Sequence, residues 1–295
     1  MRLVGALANF WHHSGLVELG YRETLAALKH PGATTRNRSR ADALVTAGLL
    51  ASNLRRHLEA KEQGTEALSI AREIGDRTLA AEALRLLGYV ATEQREDASA
   101  LGLLEEALPI ARSLGNKLLI CKTLNSIGEA HRAAGNMEAA RIPYEEALAL
   151  AQEQSYTVHI AAVSDNLARA LISCGEPERA QNLAMQVLEI SMATESKWTP
   201  LCIFDITTGL AALAENWTLA ARMRGAAEAH VENLRVSRDR ADQGFLAPWT
   251  FRVREALGEE AYAAAYDSGH ALSSKEAAAE ALTWVRGRAD TKTKS

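Results

Sequence analysis

The chain has 295 residues, of which 47% are hydrophobic, 24% charged and only 5% aromatic, with six prolines and a formal net charge of −4. Ala and Leu are abundant and are the residues least costly to place in a helix, so the composition is that of a folded, helix-rich protein. It excludes a collagen-like chain, a disulfide scaffold and a parallel α/β enzyme, and the mild acidity removes the global basic field that draws proteins to nucleic acid or anionic membrane.

The chain opens on MRLVGALANFWHH, a short apolar stretch with one Arg. It is too short to span a bilayer and lacks a small-residue cleavage site, so it reads as neither anchor nor signal peptide. The three cysteines, Cys121, Cys174 and Cys202, are odd in number and widely spaced. Free thiols in a reducing cytoplasm follow from that spacing.

From here the chain repeats. Shifted by 40 residues it matches itself without gaps over most of its length. Ala47-Gly48, Leu87-Gly88, Ile127-Gly128 and Leu167-Ala168 fall in one column. Gly20, Ala60, Ala100, Ala140, Ala180 and Ala220 form a second, and Ala27, Ala67, Ala107, Ala147, Val187 and Ala227 a third. Six units fit, at about 1–36, 37–76, 77–116, 117–156, 157–196 and 197–236. Each reads as two amphipathic helices joined by a short turn. In the third, Ala80, Ala83, Leu84, Leu87 and Ala91 recur at helical steps, and after a polar turn Leu101, Leu104, Leu108 and Ala111 continue them. Antiparallel helices approach closely only where side chains shrink, so the small columns mark the contacts within and between units. One helix pair cannot bury its apolar faces, but a stack can. Gly75 and Gly115 read as helix C-termini. Pro143 falls inside a second helix and predicts a kink or a delayed start there, tolerated on the convex side; Pro109 lies nearer a helix end.

After residue 236 the period stops. Residues 237–244 read as a polar linker, followed by three short helices at about 249–257, 259–266 and 273–284, with Ser273 and Glu276 as a capping box. Residues 237–285 would then cap the stack, and 286–295 form a flexible polar tail.

The Leu-Gly and two Ala columns resemble the tetratricopeptide repeat, which implies an all-α superhelix, a solenoid of antiparallel helix pairs. The usual period of that repeat is about 34 residues; the six extra ones here fall after the third column and read as longer helices. HEAT and armadillo arrays also reach periods of 40–47 residues, but the columns favour the tetratricopeptide pattern. Its bulky aromatic positions are filled only by Trp11, Tyr144 and Phe204. A second resemblance lies in residues 222–229 and 256–282, which are similar to the C-terminal end of bacterial signal-transduction ATPases. In these a nucleotide-binding module precedes a tetratricopeptide array, and many are LuxR-type transcriptional regulators. That resemblance implies a sensor or interaction arm. No G-x-x-x-x-G-K-S/T loop and no helix-turn-helix pair with a basic recognition helix occurs, so neither ATP hydrolysis nor DNA contact is expected of this chain. Met1 stands within the first repeat, so the chain is either a piece of such a regulator or a stand-alone relative.

No chemistry-bearing constellation is legible. The eight histidines form no H-E-x-x-H or ligand cluster, and the paired glutamates at 105–106, 145–146 and 259–260 belong to solvated outer faces. The expectation is a binding protein without catalysis, metal or cofactor, with an undetected enzyme as the least favoured alternative. In arrays of this resemblance the first helix of each unit lines a concave groove. That implies, in order, Asn9, His12 and His13; Asp42 and Asn53; Glu82, Arg85, Tyr89 and Glu93; Lys122, Asn125, Glu129 and Arg132; Asp165 and Arg169; and Asp205. Lys122, Asn125, Arg132 and Arg169 would meet an anionic or carboxylate-bearing group of a peptide, protein or small effector. The competing expectation is that these residues pair among themselves, Glu129 with Arg132 or Asp165 with Arg169 at helical spacing. A second partner expectation is self-association through Leu3, Phe10 and Trp11.

Overall fold

A computed structural model describes residues 3, 7, 10–11, 14–194, 199–234 and 237–292. Among them are fourteen α-helices, one short 3-10 turn at Pro31–Ala33 and no strand. The helices are α1 (Val17–Lys29), α2 (Arg38–Asn53), α3 (His57–Glu73), α4 (Arg77–Glu93), α5 (Asp97–Ser113), α6 (Lys117–Ala133) and α7 (Met137–Glu153). They continue as α8 (Thr157–Ser173), α9 (Pro177–Thr194), α10 (Thr199–Leu213), α11 (Trp217–Leu234), α12 (Arg240–Leu257), α13 (Glu259–His270) and α14 (Ser274–Lys292).

The 40-residue period has a simple origin. Helices α3 to α8 are all 17 residues long, with three residues between consecutive ones. The turns are Schellman closures. At Gly75 (φ 71°) the amide donates to the Arg72 carbonyl and the Asp76 amide to that of Ala71. The next helix starts at once, and its exposed amides are met by Asp76, Asn116 and Asn216, whose side chains accept from Leu79, Leu119 and Leu219. The same closure recurs at residues 55, 95, 115, 135, 155, 175 and 215. The extra length over the usual repeat therefore lies in both helices of a unit. Four of these left-handed positions carry side chains, Arg55, Arg95, Ser155 and Glu215, with φ between 56° and 64°. A left-handed residue with a Cβ costs about 1–2 kcal/mol, partly offset by the stiffer unfolded chain it gives. Arg95→Gly and Glu215→Gly should therefore each stabilise by about 0.5–1 kcal/mol, read as a rise in the urea midpoint at unchanged slope.

The chain forms two compact units, Met1–Ala130 and His131–Ser295. In the first, α2 packs on α3 and α4 on α5, with α3 against α4 and α1 against α2. Ala60, Ala100 and Ala107 are fully buried, and Ala67 nearly so. A Cβ on Gly48 would fall 2.4 Å from Leu86 and 3.4 Å from the Ala60 carbonyl oxygen, and one on Gly88 would fall 2.6 Å from Leu104 and 3.3 Å from the Ala100 carbonyl oxygen. The first column thus faces the second, as the sequence implies. Leu84, Leu86 and Leu104 fill the space beside them at 0% exposure, each contributing about 1.5–3 kcal/mol. Gly20 lies beneath the Trp11 ring, 2.4 Å from where its Cβ would be.

In the second unit α7, α8, α9, α10 and α11 pack in succession. Ala140, Ala180, Ala220, Ala147 and Ala227 are at 0% exposure, and Val187, the one larger residue of its column, is buried as well. Tyr144 and Phe204 fill the aromatic positions at 0% exposure. Helix α7 starts at Met137 and runs through Pro143, which is buried; the proline neither delays the start nor lies on an outer surface. The C-terminal helices close on the last repeats: α12 lies on α10 and α11, α13 on α11, and α14 on α9, α10 and α11. The capping box forms, with the Ser273 amide donating to Glu276 Oε2 (2.9 Å) and the Glu276 amide to Ser273 Oγ (3.3 Å). Residues 237–244 are not simply a linker. Asp239 accepts the Asp242 amide at 2.7 Å and starts α12 at Arg240, nine residues before the expected helix. Helix α14 continues to Lys292, into the stretch read as a tail.

Candidate functional site

The first helix of each pair is the inner one. On α4 eleven of the seventeen residues are buried, and Glu82, Arg85, Tyr89 and Glu93 form its half-buried stripe. The same register on α6 leaves Lys122, Asn125 and Glu129 half-buried, and on α2 Asp42 and Leu49. This stripe is where the sequence places ligand contacts in the first unit. Asp42 lies 3.9 Å from Arg38, and burial raises its carboxyl. Asn53 is exposed at the end of α2. Glu93, at the end of α4, pairs with Arg55 just beyond the end of α2, and its side chain is almost inaccessible. Glu82 sits between Arg85 (3.1 Å) and Lys122 (3.7 Å), which joins α4 to α6. Burial works to raise its carboxyl, but the two cations outweigh it and hold it below the ordinary range. Asn125 donates to Glu129 at 3.0 Å. The stripe is thus polar, mixed in sign and partly self-paired. Asn9, His12 and His13 lie outside the described residues.

In the second unit the corresponding face is covered. Asp165, Arg169 and Asp205 are buried, as is Arg132 at 1% exposure. Arg132 Nη2 donates to Asn166 Oδ1 and to Asp242 Oδ1, both at 3.0 Å. Arg169 Nη1 donates to the same Asp242 oxygen at 2.7 Å and lies 3.1 Å from Asp165, while its Nη2 lies 3.5 Å from Asp205. Arg238 donates to Asp205. The Asp165–Arg169 pair expected at helical spacing is present, within a larger cluster of three guanidinium groups and three carboxylates. Arg238, Asp242 and Asn166 were not among the sequence candidates. Their signal was there in part: Asp239 followed by Asp242 is an acidic helix start, overlooked because the stretch reads as polar linker. A cleft of about 630 Å³ in this unit lies elsewhere, against Arg222, Glu280 and Trp284.

Burial decides the electrostatics here. It pushes the Asp165 carboxyl up to about 6 even against Arg169, with Asp242 adding like charge. At Asp242 burial acts in the same sense, but Arg169 and Arg132 prevail and the carboxyl stays below its ordinary range. Burial also pushes the Cys121 and Cys174 thiols up to about 11 and raises that of Cys202, so none is an activated nucleophile. A carboxyl whose folded pKa is raised binds more protons folded than unfolded, so its contribution to stability falls as pH rises. For Asp165 the window runs from about 4 to about 6, and the loss is roughly 2–3 kcal/mol. Asp242 has the opposite sign, and its contribution is lost only below about 4. Asp165→Asn should therefore remove part of the decline between about pH 4 and 6, measured as the difference from wild type in urea unfolding at each pH.

Among the described residues no three His, Cys, Asp or Glu side chains are placed to hold a metal ion, and no helix is long and apolar enough to cross a membrane. The tetratricopeptide repeat family model matches residues 39–113 and 119–193, half of the chain. No curated protein sequence matches significantly. Among solved structures, a Rap protein complexed with Competence and Sporulation Factor superposes with a TM-score of 0.72 at 13% identity, over 93% of this chain and 74% of that one. The Rap conjugation gene regulator of plasmid pLS20, in complex with the Phr* peptide, gives 0.62 at 15% identity over 86% and 75%. The apo form of RapI gives 0.59 at 13% identity over 94% and 98%. At such identities these structures share the fold. The repeat columns, the helix pairs they build and the family match agree: the chain belongs to the tetratricopeptide repeat family.

Proposed function

We propose that this chain is a non-catalytic scaffold that binds a peptide, a segment of a partner protein or a small effector on its first-helix face. In this reading residues 1–236 are the binding array and 237–285 its cap, acting as the cytoplasmic sensor arm of a bacterial transcriptional regulator. The observation that carries it is the stripe on α4 and α6. Glu82, Arg85, Tyr89, Lys122, Asn125 and Glu129 form a half-buried stripe at one register on two largely buried inner helices, and they offer both donors and acceptors. Fold-level similarity to a Rap conjugation gene regulator solved in complex with the Phr* peptide supports a peptide as ligand. A random displayed peptide library panned on the purified chain should enrich sequences that Arg85→Ala/Lys122→Ala no longer retains. Equal retention by the two proteins, or no enrichment, would remove the groove assignment. ATP hydrolysis or a shifted DNA duplex with the same preparation would refute a sensor without enzymatic or DNA-binding function.

A second reading is assembly through the N-terminal end, favoured by Leu3 at 70% and Phe10 at 52% exposure. Light scattering that reports a monomer at high concentration, unchanged in Leu3→Glu/Phe10→Glu, would exclude it.

A further inference from the structure

The same face occurs in both units, open in the first and occupied in the second. By the 40-residue shift Asp165 and Asp205 stand where Arg85 and Asn125 stand, and Arg169 and Gly209 where Tyr89 and Glu129 stand. The first-unit residues are half-exposed, whereas Asp165, Arg169 and Asp205 are buried under the start of α12. Three side chains of that segment make the contact. Arg238 donates to Asp205, and Asp242 accepts from Arg132 and Arg169. Phe245, at 1% exposure, lies over Gly209, where a Cβ would come within 2.9 Å of its ring. Asp242 and Phe245, three residues apart on one helix, share a face. This is how a helical peptide lies in a groove, with a charged anchor and an apolar one on successive turns.

The contact is also poorly satisfied for a permanent core. Within the described residues Arg132 Nε and Nη1, Arg169 Nε, Asp205 Oδ1 and two nitrogens of Arg238 are buried without a hydrogen-bond partner. A buried ion cluster in this state holds its parts together less firmly than well-packed apolar side chains of the same volume. Natural ligand faces and the elements that cover them are drawn from the less stable parts of a fold.

We infer that the face of α8 and α10 is a peptide-binding site held by the chain's own residues 238–245, and that its external ligand is a helical peptide carrying a carboxylate and, three residues later, an aromatic side chain. The inference rests on the reading that first-helix faces bind peptides, and adds the ligand's chemistry and an intramolecular competitor. Binding displaces the start of α12, so occupancy of the site is read out in the C-terminal helices.

The test uses the full chain and a fluorescein-labelled synthetic peptide with the sequence of residues 237–250. The full chain carrying Asp242→Asn/Phe245→Ala should bind this peptide at least tenfold more tightly than wild type does. A peptide with the same two substitutions should not bind. In the wild-type chain, saturating unsubstituted peptide should raise amide exchange in residues 240–257. Equal affinity for the two proteins, or no binding to a variant whose circular dichroism matches wild type, would overturn the proposal. Should the variant fail to fold, unchanged exchange of α12 in wild type at millimolar peptide overturns it. Library capture through Arg85 and Lys122 is a separate readout: its failure with peptide exchange intact removes the first-unit groove, and the converse removes only this inference.

Discussion

Asp242→Ala should lower the stability of the second unit by about 3–5 kcal/mol, more than any surface substitution in the chain. The carboxylate accepts from two guanidinium groups that are 1% and 3% exposed, so removing it leaves buried positive charge. The two arginines do not suffer equally. Arg169 keeps Asp165 at 3.1 Å and Asp205 at 3.5 Å, whereas Arg132 keeps the neutral side-chain oxygen of Asn166 and only the weaker attraction of Asp239. The loss should therefore be largely recovered by Arg132→Met/Asp242→Leu, which removes the uncompensated charge and fills its volume with apolar atoms. Urea unfolding of the single and double variants decides this. If both lose the same amount, the cost lies in the packing of α12 rather than in the stranded charge. Hydrogen exchange should place the single variant's loss first in α12, whose start Asp242 holds against α8.

The helical array was legible because its information is local and periodic. The Ala columns at 60, 100, 140, 180 and 220 recur every 40 residues, and all are at 0% exposure. Gly75 and Gly115 marked helix ends because only a residue without a Cβ is comfortable at φ near 70°. The same turn at Arg55, Arg95, Ser155 and Glu215 carried no such signal, since the helices on either side impose the conformation on residues that do not favour it. The site was legible by register but not by partner. The stripe of Glu82, Arg85, Lys122 and Asn125 follows from helical spacing within the repeat. That Arg132 and Arg169 are engaged by Asp242 depends on contacts 110 and 73 residues apart in sequence, which no period encodes. The polar run at 237–244 looks like solvent-exposed linker because its charges are read singly; paired against Arg132, Arg169 and Asp205 they become interior.

Gly269→Ala should cost on the order of 3 kcal/mol and detach α13 from α11. A Cβ on Gly269 would lie 1.8 Å from the Arg222 carbonyl oxygen, and one on Gly225 would lie 2.0 Å from that of Tyr266. Non-bonded heavy atoms need about 3.5 Å, so the two helices must separate by more than 1 Å to admit a single methyl group. The obstacle is backbone, not a flexible side chain that can turn aside, which places the change at the severe end of overpacking. Separation also breaks the tie that Arg222 makes to Ser268 on α13 at 2.8 Å. Because Gly225 and Gly269 lie in one crossing, the double substitution should cost much less than the two singles together: once the helices have parted, the second methyl meets open space. Gly244→Ala supplies the contrast. It is also a helical glycine, but exposed, with nothing within 4 Å of its would-be Cβ. There the same substitution should stabilise by up to about 1 kcal/mol through helix propensity alone. Opposite signs for one chemical change at two helical glycines, measured by urea unfolding, would assign the small residues of the 222–229 and 256–282 stretches to helix contact; equal signs would assign them to propensity.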